Sequence, residues 1–247
     1  MAEAIGTGII IGGGCGCVCA NRYANYPLGL LGVPVVFGAS VAIAVYATRD
    51  VSGAHLNPAM TAAFALHRPN DAPPKIWAPY IASQMFGATA AAAINYGIYQ
   101  RGIKAHEVAE KITRGAKGSY TSAAGAFGMT HTASLLKVRG AFFLEIGATA
   151  ALAFTIFALT DSDKSVPPDA APALIGLTVV GLATQFAPVT GCGMNPARDL
   201  GPRLVTYAMG WGSAALHPGW WIYTMGPMFG ALFGSTLYQL TLAKRKK

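Results

Sequence analysis

Apolar stretches free of charge recur along the chain, separated by polar and turn-forming breaks. Six of them, 4–21, 27–48, 76–100, 140–160, 170–187 and 219–243, approach or exceed the about 20 residues that a helix needs to cross a bilayer. Only Glu145 interrupts the fourth. Two further segments, 56–67 and 194–207, lie between the second and third spans and between the fifth and sixth. About ten helical residues rise only about 15 Å. Neither segment crosses the roughly 30 Å hydrocarbon core alone, but two end to end would. The pattern predicts an all-α integral membrane protein with six transmembrane helices and two re-entrant half-helices.

Each half therefore holds three spans and one half-span. Glu3 leads the first span as Ala2-Glu3-Ala4-Ile5-Gly6-Thr7, and Glu145 opens the fourth as Leu144-Glu145-Ile146-Gly147-Ala148-Thr149. Three is odd, so the second half enters the membrane upside down. Such an inverted repeat brings half-helix N-termini together at the midplane. We read one channel domain over 1–247, with repeat one at about 1–100, repeat two at about 138–247 and a connecting loop at 101–137. The whole link 101–139 carries Gly, Ser, Lys and His and is expected to be an exposed loop that partly lines a vestibule. Gly8, Gly12 and Gly16, and again Gly226, Gly230 and Gly234, form rows at four-residue spacing that let helix backbones approach. They serve packing within a subunit, contacts between subunits, or both.

Composition agrees with a membrane location. The chain is 53% hydrophobic and 11% charged, against about 25% charge in soluble domains. The net charge of +8 raises the question of nucleic acid. The cations form no patterned face, so no nucleic-acid partner is expected. The tail Lys244-Arg245-Lys246-Lys247 suits an anionic cytoplasmic leaflet. Arg101, Lys104, Lys111, Arg114 and Lys117 fall on the opposite side from Arg68, Lys75, Lys164 and that tail, so the charge count is close to even. We expect both termini in the cytoplasm and the plasma membrane as the host. Met1 and Glu3 run directly into apolar sequence, which does not suggest a removable signal. In Cys15-x-Cys17-x-Cys19, positions 15 and 19 share a helix face and 17 points elsewhere, so small packing residues are expected rather than a metal site or disulfides. No nucleophile–base pair stands out, and neither an enzyme nor a cofactor is indicated.

The chemistry concentrates in a pattern that occurs twice. It reads Ser52-Gly53-Ala54-His55-Leu56-Asn57-Pro58-Ala59 and Thr190-Gly191-Cys192-Gly193-Met194-Asn195-Pro196-Ala197, 138 residues apart. Asn directly before Pro starts a helix: the Asn oxygen caps the first backbone donors, and Pro at the first position loses no hydrogen bond. We expect each Asn amide nitrogen to point outward as a fixed donor. Each half-helix start carries about half a positive charge. Water or an alcohol can accept from both donors, whereas a cation meets two positive ends. The stretches Gly53-Ala54-His55 and Gly191-Cys192-Gly193 are expected to be extended, with carbonyls along a cavity.

Ionisable residues at membrane depth need a role. Glu3 and Glu145 are expected to accept N–H bonds from the two re-entrant loops; a proton relay in a coupled transporter is the rival reading. Arg198 is expected on the pore side, donating to solutes and repelling cations. Asp199 either pairs with Arg203 one turn on or favours the positive helix start. His55 is expected to brace the first loop, with a pore gate as the alternative. His67, His106, His131 and His217 read as loop or boundary residues.

The two halves, the paired Asn-Pro-Ala turns and the run from Met194 to Leu204 (M-N-P-A-R-D-L-G-P-R-L) resemble the aquaporins over almost the whole chain. Asp199 directly after Arg198, and the long third loop, resemble the aquaglyceroporin branch. The resemblance implies six tilted helices plus two half-helices, assembled as a homotetramer with one pore per subunit. It places the outer selectivity filter at Phe37, Ala183, Cys192 and Arg198. Glycerol facilitators often carry Trp at the first place and an aromatic at the third. Water-specific members resemble Phe37, Cys192 and Arg198 but carry His at the second. This chain mixes the two sets, which implies a wide, half-apolar opening passing water, glycerol, urea and somewhat larger neutral solutes. Three function classes follow: a passive channel, dominated either by such solutes or by water; an ion-coupled secondary transporter, suggested by the inverted repeat; and a scaffold with a closed pore, suggested by the glycine rows.

Overall fold

The computed structural model of the chain describes residues 1–162 and 166–243. Lys164 and the tail Lys244-Arg245-Lys246-Lys247 lie outside the described residues. Six long helices and two short ones carry the architecture: α1 (Ala2–Tyr23), α2 (Gly29–Ser52), α3 (Pro58–His67), α4 (Pro74–Ala109), α5 (Val138–Leu159), α6 (Ala171–Thr190), α7 (Pro196–Thr206) and α8 (Ile222–Thr241). These match the six expected spans and two half-spans. Four of the six, α1, α2, α5 and α6, are long and apolar enough to cross a membrane by length and composition alone. In α4 and α8, Gly, Pro, Tyr, Thr and Gln dilute the apolar character; Gln84, Gly87, Tyr223, Gly226, Gly230 and Tyr238 among them are buried, while Pro79, Gly97 and Gln100 are exposed.

The packing follows the repeat. α1 lies against α4 and α5 against α8, one pair in each half, while α2 meets α6 across the halves. Gly87 of α4 lets the Ala4 backbone of α1 approach; a Cβ there would sit 2.7 Å from the Ala4 carbonyl carbon. Gly230 of α8 does the same for Ile146 of α5. The α2–α6 contact is reciprocal. A Cβ on Gly38 would overlap the Gly176 carbonyl, and one on Gly176 would lie 3.3 Å from the Gly38 carbonyl carbon. Positions 38 and 176 are 138 apart, the offset of the two Asn-Pro-Ala turns. Equivalent residues that touch each other lie on a two-fold axis, as an inverted repeat requires. Of the two glycine rows, Gly226, Gly230 and Gly234 pack α8 closely on α5, whereas in α1 Gly16 meets Asn95 and nothing lies within 4 Å of a Cβ on Gly12.

The link after α4 is only partly the expected exposed loop: residues 115–118 and 132–135 are exposed, whereas much of 119–129 is buried. The helix runs to Ala109 rather than ending at 100, because Ile103 and Glu107 bury their side chains. Beyond it, Tyr120, Ala123, Ala126, Phe127 and Met129 are all buried. This segment is a packed plug that side chains anchor from three directions. Arg22 donates to the Ala124 and Thr121 carbonyls at 2.7 and 2.5 Å. Arg114 forms a two-pronged bond to Glu107 at 2.9 and 2.6 Å and lies 3.9 Å from the Trp211 ring centroid. Thr132 donates through its backbone N–H to the Val189 carbonyl at the end of α6.

Candidate functional site

Each re-entrant loop begins where a long helix ends on a left-handed glycine, Gly53 (φ 77°) after α2 and Gly191 (φ 85°) after α6. Four non-glycine residues then take positive φ: Ala54 and Leu56 in the first loop, Cys192 and Met194 in the second, all between 50° and 55°. L-residues adopt that region at a cost of about 1 kcal/mol each. The conformation persists because surrounding bonds over-determine it.

Those bonds come from the two buried glutamates. Glu3 accepts from the backbone N–H of His55 (3.0 Å) and Leu56 (2.7 Å), from Ser52 Oγ (2.6 Å) and from Gln84 Nε2 (2.6 Å). Glu145 accepts from Gly193 N (3.0 Å), Met194 N (3.0 Å) and Thr190 Oγ1 (2.7 Å). Every loop donor in the first set has its partner 138 residues later in the second. Tyr80 and Tyr223 complete the braces by donating to the Ser52 and Thr190 carbonyls, each at 2.8 Å. His55 is held by Thr61 (3.2 Å), stacks on Phe64 and meets Tyr80 edge-on.

At the centre the half-helices meet N-terminus to N-terminus. Asn57 caps α3 by accepting from Ala59 N at 2.9 Å, and Asn195 caps α7 by accepting from Ala197 N at 2.9 Å and Arg198 N at 3.3 Å. The amide nitrogens do more than point outward. Asn57 Nδ2 donates to the Met194 carbonyl and Asn195 Nδ2 to the Leu56 carbonyl, both at 2.9 Å. One hydrogen of each amide therefore ties the loops together, and the second is left for the cavity beside it. Pro58, Ala59, Pro196 and Ala197 sit buried behind the two Asn and do not line the cavity.

A cavity of about 830 Å³ runs past both turns. Arg49, Asp50 and Asp161 line it near the face that carries the termini. Gly53, Ala54 and His55 line its middle from one side and Gly191, Cys192 and Gly193 from the other. Toward the opposite face it passes Phe37, Ala183 and Arg198, so all four expected filter positions border one space. Glu3 and Glu145 stand outside it, with the loops between them and the lumen. Arg198 is buried, with its Cζ 4.8 Å from the Phe37 ring centroid.

Asp199 turns away from the cavity. Its carboxylate takes Arg203 Nε at 2.6 Å and Met129 N at 2.6 Å. Arg203 in turn donates to the Ala215 carbonyl at 2.7 Å and the Met129 carbonyl at 2.5 Å. Pairing with Arg203 is the outcome of the two expected for Asp199. It fastens the packed plug over the outer end of α7. On that plug, burial and the neighbouring His217 hold His131 below the ordinary imidazole pKa. The expected small-residue role of the cysteines fits Cys15 and Cys19, which are buried, and all four cysteines are free thiols.

Sequence reasoning missed Tyr80, Tyr223 and Gln84. A signal for the tyrosines was present: Y-x-x-x-x-M-F-G occurs at Tyr80–Gly87 and again at 223–230.

A bundle of bilayer-length helices around a cavity that two helix N-termini border defines a membrane channel. The model of the major intrinsic protein family matches residues 1–238, and the chain belongs to that family. The glycerol uptake facilitator protein of Haemophilus influenzae is 42% identical over 97% of this chain and 91% of its own length. That of Escherichia coli is 38% identical over 99% and 88%. The propanediol uptake facilitator of Salmonella typhimurium is 35% identical over 98% and 93%. Among solved structures, the aquaglyceroporin from Plasmodium falciparum superposes with a TM-score of 0.79 at 21% identity, covering 96% of this chain and 91% of that one.

Proposed function

We propose that the chain is a passive channel for water and small neutral solutes such as glycerol and urea, closed to protons and ions. The observation that carries this reading is the single cavity bordered by both Asn-Pro-Ala turns and by Arg198. A hydroxyl solute moving along it meets acceptors from the strained loop carbonyls and donors from Asn57, Asn195 and Arg198. It exchanges its hydration for fixed partners at little cost. A cation faces two positive helix ends and the Arg198 guanidinium, and among the described residues the two glutamates nearest the loops, Glu3 and Glu145, do not line the cavity. The Asn donors also fix the orientation of a passing water, which interrupts a proton wire.

Phe37, Ala183, Cys192 and Arg198 act as the filter. Phe37 forms an apolar wall for the carbon face of a polyol, and Arg198 donates to its hydroxyls. Ala183 and Cys192 leave width, which favours glycerol and urea over water alone. The names of the glycerol and propanediol facilitators support this solute class. The engagement of both glutamates by loop donors supports a passive channel over a coupled transporter. The reading further includes a homotetramer in the plasma membrane, both termini cytoplasmic, and the repeat division at 1–100 and 138–247.

Proteoliposomes test it. Shrinkage and reswelling in glycerol should run well above empty vesicles and be indifferent to pH and sodium gradients. Glycerol flux equal to that of empty vesicles would reject the solute claim, and gradient-driven accumulation would reject the passive mechanism.

A further inference from the structure

We propose that Gly14 and Cys15, neighbours on α1 outside the cavity, set the position of the Phe37–Arg198 pair and so tune which solutes pass. The inference rests on the channel reading above and concerns residues behind the filter.

Two separate contacts converge on these positions. A Cβ on Gly14 would lie 2.6 Å from Phe37 Cζ, closer than side-chain carbons approach, so the ring occupies the space that only glycine leaves. One residue on, Cys15 is fully buried and its Sγ accepts from Arg198 Nη1 at 3.4 Å. Arg198 Cζ and the Phe37 ring are themselves in contact. α1 thus seats both members of the pair at once. Cys17 steadies the seat by donating to the Gly14 carbonyl at 3.0 Å.

The choice of a thiol has a chemical consequence. Among the described residues, Arg198 has no carboxylate within ion-pair distance; Asp199 next to it is committed to Arg203. Its other guanidinium acceptor is the Gly125 carbonyl at 3.5 Å. A thiol is a weak acceptor and a guanidinium carries five donors. Cys15 therefore fixes one edge of the group without neutralising it, and the remaining donors stay available to solute hydroxyls. A carboxylate at the same place would hold the group more firmly and cancel the charge that repels cations. With no acceptor there, the guanidinium would turn into the cavity to find one.

The test compares wild type, Cys15→Ala, Cys15→Ser and Gly14→Ala in proteoliposomes. Glycerol and water permeability are measured on the same vesicles, and reconstituted protein is quantified. A merely structural defect lowers both permeabilities in parallel, so the ratio is the informative readout. Cys15→Ala should lower the glycerol-to-water ratio by about threefold or more, the scale of one lost hydrogen bond at a filter. Cys15→Ser, which keeps an acceptor, should restore it. Gly14→Ala should lower the ratio as well by pushing the Phe37 ring into the lumen. Wild-type ratios in Cys15→Ala and Gly14→Ala, with wild-type glycerol flux intact, would overturn this inference alone. Wild-type protein no more permeable to glycerol than empty vesicles would overturn the channel reading and this inference with it.

Discussion

Replacing Glu145 by Gln separates a bracing carboxylate from a proton relay. Glu145 is fully buried and faces three donors. Thr190 Oγ1 and Gly193 N reach Oε1, and Met194 N reaches Oε2. Gln keeps one acceptor oxygen, which can serve the first two. Its amide nitrogen then opposes Met194 N, donor against donor, and a buried donor without a partner costs about 1–3 kcal/mol. The two retained bonds lose their charge assistance, about 1 kcal/mol each, since bonds to ions are worth roughly twice neutral ones. The loop also carries positive φ at Cys192 and Met194, which those bonds enforce. The sum is on the order of 3–5 kcal/mol, a fall of on the order of 10 °C in the unfolding midpoint. Thermal unfolding of purified protein in detergent measures it, with swelling assays on the fraction that reconstitutes. Water and glycerol flux should fall together, with no change in their response to a pH gradient. A variant with wild-type stability and flux that differed only in its pH-gradient response would refute the bracing argument and restore the coupled-transporter reading.

Three further changes address the filter and the plug. Ala183→His should narrow the outer cavity and cut glycerol permeability about tenfold or more while sparing water, since solute size is read by steric fit in the pore; an equal fall in both would show that position 183 does not set the limit. Cys192 borders the lumen, so mercurials should block flux and Cys192→Ser should abolish that block; unchanged inhibition in the serine variant would point to another thiol. Asp199→Ala leaves the buried Arg203 charge unpaired and should cost about 3–5 kcal/mol, read as a lower unfolding midpoint; an unchanged midpoint would mean that the plug does not depend on this pair.

Much of the site was legible because the chain states it twice. Asn57 and Asn195, Glu3 and Glu145, and the helix-starting prolines all announce themselves by type and spacing, and the 138-residue offset fixes their correspondence. What was not legible is how the copies touch. No sequence rule reveals that Gly38 and Gly176 oppose each other across the two-fold axis, or that each Asn amide crosses to the other loop's carbonyl. Those are properties of the assembled pair, not of either copy. The left-handed backbone at Ala54, Leu56, Cys192 and Met194 was hidden for a related reason. Only Gly53 and Gly191 advertise positive φ, while the other four are forced into it by glutamates that lie far away in sequence.

The packed segment after α4 was misjudged on composition. Its Gly, Ser, Lys and His suggested solvent, yet its own Tyr120, Phe127 and Met129 are buried and charged side chains anchor it. Arg114 is taken by Glu107, Tyr96 and the Trp211 ring, and Arg203 reaches across to the Met129 and Ala215 carbonyls. Polar composition identifies a loop that can face water, not one that must. In a membrane channel the outer loops also have to close the space above a half-helix that covers only half the bilayer. α7 is 11 residues long and ends at Thr206, and the buried pair of Asp199 in its first turn and Arg203 in its last needs acceptors and donors from somewhere. The plug supplies them. The Asp199–Arg203 pair, one of the two roles expected for Asp199, is the bolt that joins the plug to the second half-helix.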